Sequence, residues 1–67
     1  MNPQQIHKYR GEWCQVAVRS PDGECVTYQK AMPREQNEGV WRFTTNGFEV
    51  FVASSDVISV RPARRGA

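Results

Sequence analysis

Apolar and polar positions alternate with a period of two along most of this chain, in short runs separated by turn residues. That period is the mark of strands with one buried face. The runs WCQVAVR (13–19), CVTYQKAM (25–32), VWRFTT (40–45), FEVFVA (48–53) and ISVRP (58–62) predict five strands. Asn46-Gly47, between two of them, is the strongest short-range hairpin signal a sequence offers. SPDGE (20–24) suits a type I turn with a bulge. PREQNEG (33–39), polar with Pro and Gly, predicts a loop. SSDV (54–57) predicts one 3₁₀ turn. Residues 1–12 form an N-terminal arm, either extended or with one helical turn begun at Asn2-Pro3, and residues 63–67 form a tail. Short strands without a long helix predict an all-β domain over residues 13–62, a small five-stranded barrel, because a flat meander would leave long edges exposed.

The hairpin fixes a register. A two-residue turn pairs Thr45 with Phe48, and outward from there Phe43 with Val50, Arg42 with Phe51 and Trp41 with Val52. Side chains alternate faces, so Trp41, Phe43, Thr45, Phe48, Val50 and Val52 are assigned to the core. Val40, Arg42, Thr44, Glu49, Phe51 and Ala53 are assigned outward. In the first hairpin Ser20 pairs with Glu24, which places Cys14, Val16, Val18, Val26 and Tyr28 inside and Trp13, Gln15, Ala17, Arg19, Cys25, Thr27 and Gln29 outside. Ile58 and Val60 complete the predicted core. The outward aromatics are Trp13 and Phe51. Arg42 is expected over the Phe51 ring as a cation–π pair, and the arm, through Ile6 and Tyr9, is a candidate cover for Phe51 or Trp13.

Size narrows the function. A chain of 67 residues makes one thin-cored domain that buries only about 60% of its unfolded surface, which disfavours a self-contained enzyme. The net charge of +2 rests on Arg61, Arg64 and Arg65 of RPARRGA, so the body is close to neutral. No apolar run reaches the ~20 residues of a membrane span, and MNPQQIHKYR has no signal-peptide core. A cytoplasmic protein with no membrane partner is expected. Cys14 and Cys25 fall on opposite faces, so free thiols are expected, since a disulfide needs close Cβ atoms. Two cysteines and the lone His7 do not furnish a tetrahedral metal site, no phosphate-cradling glycine loop is present, and nothing places His7 beside a nucleophile. No cofactor, metal or catalytic residue is expected.

Ala17, Asp22-Gly23, Tyr28, the Asn46-Gly47 hairpin and Asp56-Val57-Ile58 occur in an order that resembles the Tudor-type barrels of the SH3-like group, over about residues 13–62. The chain is also similar to SH3-type and Sm-like barrels in general, which serve as protein-binding, RNA-binding and oligomerising modules. The resemblance implies the barrel. It does not carry over a methyl-reading aromatic cage, because Arg19 stands near the first-strand cage position and Trp41, Phe43 and Phe48 are assigned inward. Nor does it carry over the activity of the plasmid-borne dihydrofolate reductase of this fold group, whose Val-Gln-Ile-Tyr stretch is matched here by VFVASSD.

The function expected from these residues is a non-enzymatic module that docks a protein partner through an outer sheet face, with Trp13, Arg19, Arg42 and Phe51 as the contact residues, since Trp and Arg are enriched at binding hot spots. Such a chain also suits a phage or mobile-element accessory protein. The alternative is a nucleic-acid-binding barrel that uses Arg42, Arg61, Arg64 and Arg65, with Trp13 or Phe51 for stacking. A shared-site enzyme or a homo-oligomeric ring, with the exposed apolar residues as the subunit interface, is the third reading.

Overall fold

The computed structural model describes residues 3–63. Within it the chain runs α1 (Pro3–His7), β1 (Cys14–Arg19), β2 (Cys25–Asn37), β3 (Val40–Thr45), β4 (Phe48–Ala53), a 3₁₀ turn (Ser54–Asp56) and β5 (Val57–Pro62). All pairings are antiparallel, in the order β4-β3-β2-β1-β5. Among the described residues no ladder joins β4 to β5, so the sheet has two open edges and is not closed by hydrogen bonds into a barrel.

The hairpin turns follow their sequences. Asn46 and Gly47 both have positive φ, 50° and 83°, the requirement of a type I′ turn. The β3–β4 register is the expected one from Thr45–Phe48 to Val40–Ala53. In the first hairpin Ser20 N–H donates to Glu24 O (2.7 Å) and Gly23 N–H to Ser20 O (2.9 Å). The Asp22 carboxylate accepts from the Ser20 hydroxyl and from the Glu24 N–H. Those two hydrogen bonds, the hydroxyl first, hold its pKa below the ordinary 3.8. A depressed carboxyl stabilises the fold at pH values above its unfolded pKa, and that contribution is lost as pH falls through the folded value. A carboxyl-detected NMR titration should therefore place the Asp22 midpoint below 3.8; a midpoint at or above that value would show that the turn does not hold the carboxylate.

Of the segment 33–39, expected as a loop, residues 33–37 instead belong to the second half of a thirteen-residue β2 (Cys25–Asn37), and only Glu38-Gly39 form a turn. β2 pairs with β1 through its first half and with β3 through its second, from Met32–Thr44 to Asn37–Val40. The connection to β3 is a two-residue turn, with Glu38 at φ 52° and Gly39 at φ 78°. A bulge at Arg34 interrupts this ladder beside Pro33, and a bulge is where a strand tolerates a residue without an N–H.

The core comprises Ile6, Cys14, Val16, Val18, Ala31, Trp41, Phe43, Val52, Val57 and Val60, with Tyr9, Tyr28 and Val50 packed against it. Three expected members are corrected. Phe48 is 52% exposed and Val26 is 37% exposed; both have the inward parity, but they lie next to the hairpin ends, where the open sheet does not cover them. Ile58 is 43% exposed because it is the extra residue of a bulge, Ala17 pairing with Ser59 and Val18 with Val57. Val57 takes the buried place.

The arm adopts the helical alternative. α1 buries Ile6 completely and sets the His7 ring edge-on to Trp41, 4.7 Å between centroids. It therefore closes the core over Trp41, and the expectation that it covers Phe51 or Trp13 is not met, since these remain 66% and 43% exposed.

Both cysteines are free, Cys14 buried and Cys25 exposed. The Cys14 thiol lies 3.3 Å from the Glu12 carbonyl oxygen, to which it donates. Burial, followed by the charge of Glu12, pushes its pKa up to about 11. Since the thiolate is the reactive species, a disulfide reagent at neutral pH should titrate one thiol in the native protein and two after denaturation. Rapid reaction of both in the native state would contradict the burial of Cys14.

Candidate functional site

The four residues expected to form one docking surface belong to two halves of the sheet. Arg42 and Phe51 face each other across β3 and β4. Trp13 immediately precedes β1, and Arg19 ends it opposite Cys25.

On the β3–β4 side, Arg42 is half-buried and spans three strands. Its Nη2 lies 3.0 Å from Glu35 Oε1 on β2, and its Nη1 lies 2.6 Å from Glu49 Oε1 on β4. Its Nε is buried without a partner among the described residues. The expected cation–π contact with Phe51 is replaced by this ion-pair network, because the extended β2 brings Glu35 directly opposite Arg42. Two charge-assisted contacts, one from each flanking strand, hold the guanidinium in place of a single ring contact. The guanidinium is thereby fixed in place. Beside it Phe51 stands 66% exposed, with Val40 37% exposed. Glu35, Asn37, Val40, Arg42 and Phe51 line a hollow of about 200 Å³. An apolar wall, a fixed polar floor and a side-chain amide at the rim can seat one apolar side chain and accept or donate hydrogen bonds around it.

On the β1–β2–β5 side, Lys30 Nζ lies 5.4 Å from the centroid of the Trp13 ring, a cation–π contact among the described residues. Arg61 pairs with Gln15 across β1 and β5. The nucleic-acid set expected from sequence is thus divided: Arg42 is neutralised by two carboxylates on the other half, Arg61 lies here, and Arg64 and Arg65 lie outside the described residues. Gln15, Gln29 and Lys30 were not among the expected site residues. Gln15 and Gln29 have outward parity, but nothing in the sequence marks the bulge that turns Lys30 to the same side.

Among the described residues no group of three or more His, Cys, Asp or Glu side chains is arranged to hold a metal ion, and no helix is long and apolar enough to cross a membrane. Comparison with protein-family models, curated proteins and solved structures yields no match for this chain.

Proposed function

We propose that this chain is a non-enzymatic docking module of SH3-like barrel type that seats an apolar side chain of a protein partner between Phe51 and Val40. The observation that carries the proposal is Phe51 itself, 66% exposed on a paired strand and next to an arginine locked by two carboxylates. A large apolar side chain left in water beside a pre-organised polar group is the arrangement of an interface hot spot. The barrel assignment is supported by the long β2 shared between two ladders, by β5 returning to pair with β1, and by the 3₁₀ turn before β5. Free thiols, one of them exposed, suit the reducing cytoplasm.

The test is capture from host lysate by the tagged protein and by its Phe51→Ala/Arg42→Ala variant, with and without nuclease. A partner that survives nuclease and is lost with the variant supports the proposal. A partner retained equally by the variant removes this site.

A further inference from the structure

We propose that the outer surface of β1, β2 and β5 is a second binding site, for single-stranded nucleic acid, in which Lys30 and Arg61 take backbone phosphates and the Trp13 indole stacks on a base.

The site is made by a bulge. Val16 pairs with Tyr28 and Cys14 with Ala31, so the single residue Gln15 is opposed by two, Gln29 and Lys30. Two residues against one break the alternation of faces, and the Lys30 side chain stands on the outer side with Gln29 and reaches the Trp13 ring. Gln15 Nε2 donates to Gln29 Oε1 at 2.9 Å. On the other side of Gln15, Arg61 extends from β5. The result is two adjoining hollows. One, of about 620 Å³, is lined by Gln15, Gln29, Lys30, Arg61, Pro62 and Ala63. The other, of about 230 Å³, shares Gln15 and Arg61 and continues to Ala17, Thr27 and Ser59.

Charge complementarity identifies the occupant. No acidic side chain lines either hollow, and neither Lys30 nor Arg61 is in an ion pair among the described residues. This separates the surface from the β3–β4 side, where Arg42 has two carboxylates. Two unneutralised cations beside a groove attract a polyanion. The groove ends at Ala63, whose N–H donates to Trp13 O at 3.1 Å, and the next two residues in the sequence are Arg64 and Arg65. The uncharged lining selects among polyanions. Side-chain amides offer donors and acceptors to base edges, and a partly exposed indole offers a stacking plane. A duplex keeps its bases stacked on one another and gives the indole no free face, and an acidic peptide has no base to stack.

The test is fluorescence anisotropy of labelled oligouridylate, oligothymidylate, duplex DNA and a polyglutamate peptide against the full chain over a salt series. The expected result is binding of the single strands in preference to the other two, with affinity falling with salt by a log–log slope of about −0.7 for each phosphate neutralised. Lys30→Ala/Arg61→Ala should flatten the slope by about 1.4 on the same rule. Lys30→Arg/Arg61→Lys, which keeps the charge, should retain binding and serves as the control for folding. Trp13→Ala should weaken single-strand binding about fivefold or more. Polyglutamate bound as well as the oligonucleotides, a duplex bound best, no binding to the single strands, or single-strand affinity unchanged in both alanine variants would each overturn the proposal.

Discussion

Trp41→Ala should cost this chain about a third or more of its folding stability. Trp41 is fully buried, contacts His7 of α1 edge-on and lies 6.3 Å, centroid to centroid, from Phe43. Replacing a buried Trp by Ala costs about 3–5 kcal/mol through lost transfer energy and the cavity left behind. A domain of this length has a total stability of only roughly 3–10 kcal/mol, so the loss removes a third of it or more. It also removes the ring that His7 of α1 meets edge-on. Trp41→Phe separates shape from chemistry. The Trp41 indole N–H is buried with no acceptor among the described residues, and a buried donor without a partner carries a penalty. Deleting it offsets part of the lost packing, so Trp41→Phe should remain folded. Urea titrations followed by circular dichroism decide the matter. An Ala variant as stable as the parent would show that Trp41 does not hold the core, and a Phe variant as damaged as the Ala variant would show that the indole N–H has an acceptor after all.

Phe51→Ala, by contrast, should leave the fold intact and remove partner binding. Its side chain is mostly in water, and surface substitutions of this kind change stability by no more than about 0.5 kcal/mol. If Phe51 is the anchor of an interface, truncating it weakens binding by about 2–4 kcal/mol, roughly thirty- to a thousandfold. Arg42→Ala acts differently. It frees Glu35 and Glu49, both largely exposed, and exposed ion pairs are worth about 0.2–1 kcal/mol each. A modest loss of stability should therefore accompany its loss of binding. Calorimetric titration of the captured partner against the two single variants distinguishes them, and undiminished affinity in Phe51→Ala would disqualify the β3–β4 surface.

The turns and the register of the hairpins can be read from the sequence because each rests on a local requirement. Asn46-Gly47 provides the positive φ of its turn at low cost, and every cross-strand pair of β3 and β4 follows from it. The bulges cannot be read this way. Each adds one residue to one strand and reverses the faces beyond it, and no residue at Lys30, Arg34 or Ile58 announces it. That is why alternation alone points Ile58 into the core, whereas the bulge gives that place to Val57. The second half of β2 was hidden by Pro33 and by Glu38-Gly39, in which Glu rather than Asn or Asp holds the first left-handed position. The candidate sites inherit the same division. The exposure of Phe51 and Trp13 follows from parity alone, whereas the partners of Arg42 depend on where β2 ends and those of Lys30 on where it bulges.

The two open edges of the sheet are unequally guarded against other chains. β5 has its ladder interrupted at Ile58 and ends in Pro62, two devices that discourage a further strand from joining. β4 has neither. FEVFVA runs regularly from Phe48 to Ala53, rich in β-formers and free of proline, the composition of segments that stack into fibrils. Its single charge is Glu49, the residue that also clamps Arg42. One carboxylate therefore performs two duties, orienting the arginine beside Phe51 and keeping a strand of this chain from serving as the template for the next.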